Sequence, residues 1–280
     1  MSERPIIALL YDFDKTLCTT DMEDYTFIPS LGYTPAEFWQ KANNFGWENQ
    51  MDGLLAYMYT MIEECRAQGM TLNRDYLVQC GKGIQLFPGV REWFDRIDAF
   101  GDSLGVTVEH YVLSSGLKEI IEGTEIAHEF RRIYACSFLY DIDGVAYWPA
   151  VAVNYTNKTQ FIFKINKGVE SVFDSKLVNQ YIEEDKRPVP FRRMIYVGDG
   201  TTDIPCMRLV KNSGGHSIAV YNPEIRNARR ELNGLIRDNR VSHVCPADYS
   251  EGSEMDTLVK TIIDKIEADH RLELLETPRT

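Results

Sequence analysis

The chain has 280 residues, with 30 lysines and arginines against 42 aspartates and glutamates, a formal charge of −12. That acidity argues against nucleic acid as a partner, because a phosphate backbone needs a basic surface and the basic residues here form no stripe. No run of about 18 apolar residues is present to span a bilayer. The start, Met1-Ser2-Glu3-Arg4-Pro5, lacks a signal-peptide pattern, so a cytoplasmic location without a membrane partner is expected.

Ile6 to Tyr11 is almost uninterruptedly apolar and reads, within 5–12, as a strand buried on both faces. It stops at Asp12-Phe13-Asp14-Lys15-Thr16. From about 20 to 87 the periodicity is helical. Thr34-Pro35-Ala36-Glu37 is a capping box with proline in the first turn, Gly53 to Arg66 carries one apolar stripe, and a further stretch opens at Thr71 and runs through Cys80. This block reads as an inserted helical unit. Its aromatic residues, among them Phe27, Phe38, Trp39 and Trp47, read as the unit's own core. Asp21, Glu23 and Asp24 read as a solvated helix start or hinge.

Phe87-Pro88-Gly89 is a turn, followed by a helix from Val90 to Phe100. His110 to Leu113 is a short strand ending at Ser114-Ser115-Gly116, and a helix follows near 117–122, with Ser115 available to cap it. The segment 133–153 alternates, and its Asp143-Gly144 pair predicts a hairpin near 138–147. Thr159 to Ile165 is taken as helical, Asn166-Lys167-Gly168 as an interruption, and Val169 to Glu184 as a further helix. Met194 to Val197 is a second apolar strand, and it stops at Gly198-Asp199-Gly200-Thr201-Thr202-Asp203. Ser217 to Tyr221 and Val241 to Cys245 are later strands. A capping box at Ser253 opens a last helix to about 267, and beyond His270 a loose polar tail is expected. Strands separated by helices give an α/β class with a parallel sheet. The six cysteines contain no Cys-x-x-Cys pair, which argues for reduced thiols and against structural zinc.

Both aspartate motifs sit where a buried strand ends, and ligands of open α/β sheets bind at such ends. Four carboxylates gathered there would raise one another's pKa values. A hard cation removes that conflict, and Mg²⁺ prefers oxygen ligands. In Asp12-x-Asp14, one carboxylate can attack phosphorus while the other handles a proton. Asp199 and Asp203, four apart where a loop enters a helix, read as a direct metal ligand and as a ligand through water or a supporting partner. Ser114 ends a strand and can donate to a phosphoryl oxygen. A lysine is needed for the remaining charge. Lys167, in a Lys-Gly turn one helix upstream of the second aspartate motif, is the first choice, Lys158 the rival and Lys164 the third.

Taken together these motifs resemble the haloacid dehalogenase (HAD) superfamily of phosphohydrolases: Asp12–Thr16 the first motif, Ser114 the second, Lys167 or Lys158 the third, Gly198–Asp203 the fourth. The position and helical character of the insertion, and the hairpin, are similar to the phosphoserine-phosphatase-like branch. The resemblance implies a Rossmannoid core over residues 1–18 and 88–280 with a helical cap over 19–87. It implies Asp12 as nucleophile, Asp14 as acid and base, and Mg²⁺ held by Asp12, Asp199 and the Asp14 carbonyl. The metal set is thus Asp12, Asp14, Asp199 and Asp203, and the phosphate set Thr16, Ser114, Ser115 and Lys167. The expected activity is Mg²⁺-dependent hydrolysis of a small phosphorylated metabolite by a monomer or dimer, through an aspartyl phosphate. A phosphomutase and a phosphate-binding signalling module without turnover are the alternatives.

Overall fold

The structure, a computed structural model, describes residues 4–200 and 202–276. Met1 to Glu3, Thr201 of the second aspartate motif and the last four residues lie outside the described residues. In chain order the elements are β1 (Ile6–Tyr11), α1 (Phe27–Ser30), α2 (Pro35–Glu48), α3 (Gly53–Ala67), α4 (Arg74–Gly81), α5 (Val90–Leu104), β2 (Thr107–Leu117), α6 (Lys118–Glu122), β3 (Arg132–Tyr140), β4 (Ala146–Val151), α7 (Lys158–Asn166), α8 (Ser175–Asn179), β5 (Met194–Gly198), α9 (Ile204–Asn212), β6 (His216–Tyr221), α10 (Ala228–Arg237), β7 (His243–Pro246) and α11 (Glu254–Glu276).

Seven strands form one sheet in the order β4-β3-β2-β1-β5-β6-β7. All neighbours are parallel except β3 and β4, which form the hairpin at the edge. The chain leaves β1 toward β2, β3 and β4, then returns to place β5 on the other side of β1. The strand order therefore reverses at β1, and the crevice at the carboxyl ends of β1, β2 and β5 is the place where such sheets bind ligands. β1 is central, and Ile7 through Tyr11 have no exposed surface. That explains its continuous apolar run, since a strand covered on both faces has no solvent side to alternate with.

Helices α1 to α4 lie between β1 and β2. The capping box forms at Thr34: Glu37 donates its backbone N–H to Thr34 Oγ1 at 3.3 Å, and Thr34 N–H donates to Glu37 Oε2 at 2.8 Å. Phe27 and Phe38 are fully buried and meet edge to face, as do Phe38 with Trp39 and Trp39 with Tyr57. Most of these aromatic rings thus pack among themselves, though Trp47 is exposed. The two linkers of the insertion pair with each other, Thr19 N–H donating to Gln85 O and Phe87 N–H to Leu17 O, both at 3.0 Å. A second seam joins α4 to α6 backbone against backbone. A Cβ on Gly123 would sit 1.8 Å from Val78 O, so the seam admits only glycine there.

Several expectations need correction. Val169 to Glu184 is not a helix; only α8 and a 3₁₀ turn at Glu184–Lys186 form. Phe173 and Tyr181 lie exposed, so no apolar stripe holds a helix to the core. Carbonyls of the segment go instead to lysines: Lys164 Nζ donates to Ser171 O and Asp174 O, and Lys167 Nζ to Val178 O and Gln180 O. The tail beyond His270 is not loose over 271–276 but continues α11, tied down by Arg192 donating to Glu273 at 2.7 Å and by the Glu267–Arg271 ion pair. Glu23 is not a solvated hinge residue, being 2% exposed. Strand β2 runs through Ser114 to Leu117, with a register shift against β3 between Leu113 and Leu117. Among the described residues no helix is long and apolar enough to cross a membrane.

Candidate active site

Asp12 is the first residue beyond β1, and its N–H donates to Val197 O at 2.9 Å, which fixes it against the end of β5. The chain then turns sharply. Phe13 O accepts from the N–H groups of Thr16, Leu17 and Cys18, and Lys15 adopts a left-handed φ of 55°. Phe13 is fully buried, so the turn is pinned from below while the residues on either side stay at the crevice.

The two aspartates of this motif meet different surroundings. Asp12 Oδ1 accepts from Lys158 Nζ at 2.9 Å. Asp14 Oδ1 accepts from Met22 N–H at 2.8 Å. Asp14 Oδ2 lies over Gly116 of β2, where a Cβ would come within 2.9 Å of it. The alternation that would aim both side chains alike stops at Tyr11, where β1 ends.

From the other side of β1, Asp199 and Asp203 arrive at the end of β5. Single carboxylate oxygens of Asp12, Asp199 and Asp203 all lie within 4.8 Å of one another. Asp203 Oδ1 accepts from Lys158 Nζ at 2.7 Å and from Tyr196 Oη at 2.6 Å. Asp203 Oδ2 is buried and has no partner. The Asp203 side chain folds over Gly198, where a Cβ would stand 2.3 Å from Oδ2; glycine is needed there for close approach. Gly200 takes a φ of 116°, open to glycine and to few other residues.

Three carboxylates with one ammonium between them cannot all hold their charge. Burial first, then repulsion from Asp203, push Asp12 up to about 8 against the pull of Lys158. Asp199 rises to about 6, through burial and then Asp203. Burial alone would lower the Lys158 ammonium, but Asp12 and Asp203 raise it, so it stays charged. Asp14 is raised by burial, and further by Glu23, Asp12 and Asp21. An orphaned carboxylate oxygen beside two carboxylates of raised pKa is a donor set suited to a cation. The all-oxygen chemistry of Asp12, Asp199 and Asp203 fits Mg²⁺. The carboxylate of Asp14 is not one of this trio.

The lysine is corrected. Lys158, not Lys167, stands at the aspartates, fully buried in the first turn of α7. The hairpin returns the chain at Val151 to the level of Ser137, near the carboxyl edge of the sheet, and α7 runs from there toward the start of β5. Its first residue is thus at the crevice. Lys167, nine residues on, lies roughly 14 Å away at the rise of an α-helix and serves carbonyls of the 171–180 segment. Lys164 does the same.

Ser114 is fully buried, and its Oγ accepts from Gly116 N–H at 3.0 Å. The register that pairs Tyr11 with Val112 puts it at the same sheet edge as Asp12. Ser115 neither caps α6 nor faces the aspartates; its hydroxyl donates to Val153 O at 2.8 Å, and the residue at the cap of α6 is Leu117. The Thr16 hydroxyl is buried without a partner, while Thr16 O accepts from Tyr249 Oη. Sequence reasoning missed Tyr196. The signal was available, because a tyrosine inside a wholly buried strand needs a partner for its hydroxyl. It also missed Lys15, which donates to both carboxylate oxygens of Asp21 at 2.8 and 2.7 Å and so ties the turn after β1 to the start of the insertion.

No family model matches the chain. An uncharacterized protein of Borreliella burgdorferi is 27% identical over 300 residues, covering 95% of this chain and 99% of the relative. Among solved structures, a HAD family hydrolase from Salmonella enterica serovar Typhi superposes with a TM-score of 0.58 at 15% identity, covering 95% of this chain and 74% of that one. A substrate-bound phosphoserine phosphatase gives 0.55 at 14%, covering 92% and 99%. A phospho-aspartyl intermediate analogue of phosphoserine phosphatase gives 0.53 at 16%, with the same coverages. At these identities the likeness is one of fold: the chain has the HAD-type fold of phosphoserine phosphatases.

Proposed function

We propose that the protein is a Mg²⁺-dependent phosphatase that hydrolyses a small phosphate monoester through an aspartyl phosphate on Asp12. The observation that carries this reading is the convergence of Asp12, Asp199 and Asp203 around one buried lysine at the strand-order reversal. The HAD-type fold supports it, since one similar structure is of a phospho-aspartyl intermediate analogue.

Asp12 Oδ1 is held by Lys158, which leaves Oδ2 to attack phosphorus while the bond to the leaving oxygen breaks. Lys158 stays charged and receives the negative charge that develops on the phosphoryl group. Asp14, raised toward its protonated form, gives its proton to the leaving oxygen. As a carboxylate it then takes a proton from water, which attacks phosphorus and releases Asp12. Ser114, with its hydroxyl hydrogen still free to donate, would bind a phosphoryl oxygen. Asp12, Asp199 and the Asp14 carbonyl would hold Mg²⁺, with Asp203 supporting it, and the ion would supply charge neutralisation and polarise the phosphoryl group. Residues 19–87 would act as a cap, coupled to the reaction turn through Met22 N–H on Asp14 and Asp21 on Lys15. Hydrolysis of p-nitrophenyl phosphate with and without Mg²⁺, beside an Asp12→Asn variant, tests the reading. Magnesium-dependent turnover that the variant loses is expected; turnover that survives Asp12→Asn would refute it.

A further inference from the structure

The Asp199 loop also forms one wall of a cavity of about 460 Å³ that the chemistry of the aspartates leaves unused. That volume lies within the roughly 300–1,000 Å³ of small-molecule sites. Its remaining surface is largely aliphatic: Ile204 from α9, Val220 from β6, Ile225, and Leu232 with Leu235 from α10. Gly200, next to Asp199, keeps the passage open. A Cβ there would meet Leu232 Cδ2 at 3.0 Å and Leu235 Cδ1 at 3.3 Å. No residue of α10 is buried, so its two leucines line the space without closing it.

Charge narrows what the cavity can hold. Lys15 is its one lining cation, and both oxygens of Asp21 already occupy that ammonium. Asp199 and Glu231 add two acidic groups to the rim, whose other polar residues, Thr19, Thr20, Tyr221 and Asn222, are neutral. In the insertion, Lys41, Arg66 and Arg74 are each paired with a glutamate (Glu64, Glu63 and Glu122), and Lys82 lines a different cavity beside Gly123. A leaving group with a carboxylate of its own would bring a second anion to a cavity whose lining cation is already paired.

We infer that this cavity receives the leaving group of the phosphate monoester and selects an apolar, uncharged alcohol. The inference rests on the phosphatase reading for its chemistry, but the cavity's binding preference can be measured without turnover. Ethyl phosphate, n-hexyl phosphate and phosphoserine have alkyl leaving oxygens of similar intrinsic reactivity, so kcat/KM in Mg²⁺ compares their fit. A chain-length preference for hexyl over ethyl of about 10-fold or more is expected, of the size that added methylenes give in an apolar pocket. Phosphoserine is expected to rank with or below ethyl phosphate. Leu232→Glu and Leu235→Glu, at half-buried positions, should each remove most of the hexyl preference, with folding checked by thermal unfolding. Titration of the wild type with n-hexylphosphonate and ethylphosphonate should show the same order of affinity. If the esters turn over with no chain-length preference, or phosphoserine is preferred, the pocket assignment is overturned while the phosphatase reading stands. If no ester turns over but hexylphosphonate still binds about 10-fold more tightly than ethylphosphonate, the phosphatase reading fails and the apolar preference is upheld.

Discussion

Replacing Lys158 by methionine keeps most of the side-chain volume and removes the charge between two carboxylates. The ammonium is fully buried and donates to Asp12 at 2.9 Å and to Asp203 at 2.7 Å. Removing one partner from a buried ion pair costs about 3–5 kcal/mol, because the remaining charge is left uncompensated. For a chain somewhat larger than 150–250 residues, where 1 kcal/mol is worth about 2–4 °C, the melting temperature should fall by roughly 6–20 °C. The loss has a pH signature. Asp12 has a folded pKa near 8, above its ordinary 3.8, so it already favours the protonated folded form at lower pH. Lys158 is what pulls that pKa down, so in the variant it rises further, and the deficit should grow as pH is raised from about 7 toward about 9. The assay is thermal unfolding in EDTA at both pH values. Repeating the substitution in an Asp203→Asn background should cost less by at least about 1 kcal/mol, since the two residues touch. A Lys158→Met protein that melts within about 2 °C of the wild type at the higher pH would refute the reasoning.

Other substitutions separate the site from its surroundings. Lys167→Met should lose about 1.5–3 kcal/mol at most, from two charge-assisted bonds to Val178 O and Gln180 O, and keep p-nitrophenyl phosphate turnover within a few-fold; a collapse of kcat would return Lys167 to the site. Glu23 is held near 8 against its ordinary 4.5, by burial first and opposed by its own backbone N–H. Its contribution to stability is therefore complete below about pH 4.5 and lost as pH rises toward 8. Stability of the wild type relative to Glu23→Gln should fall by a few kcal/mol across that window, and denaturant titrations showing a flat difference would contradict this. Gly198→Ala must displace the Asp203 carboxylate, which a Cβ would approach to 2.3 Å, and should weaken Mg²⁺ binding by calorimetry at least ~10-fold. Gly123→Ala should open the α4–α6 seam, lowering stability by about 2 kcal/mol or more and exposing 74–81 to faster hydrogen exchange.

The legible parts of the sequence were those where one physical demand dominates. β1 and β5 are buried on both faces, so their apolar runs and abrupt aspartate ends mark strand and site together. Thr34 and Glu37 satisfy each other's backbone groups, which any capping box does without tertiary help. Illegible were the features that depend on where a helix lies in the fold. Lys158 and Lys167 sit at opposite ends of α7, and the Lys-Gly turn at its far end drew the assignment away from the crevice. α10, by contrast, was missed although Ala228, Leu232, Leu235 and Ile236 repeat at helical spacing, with Gly234 as the one residue of poor propensity among them. The 169–184 segment had helical composition but no face to bury, and its carbonyls were claimed by lysines earlier in the chain. Glu23 reads as solvent-facing from its acidic neighbours, yet it lies buried with Oε1 unpartnered.

Covalent capture at Asp12 is the most direct test of the whole account. The protein is mixed with p-nitrophenyl phosphate and Mg²⁺, quenched into borohydride and read by peptide mass spectrometry. An acyl phosphate on Asp12 is reduced to homoserine at position 12, and this is the predicted product, absent without substrate. Turnover that leaves Asp12 intact, or homoserine found instead at position 199 or 203, would contradict it.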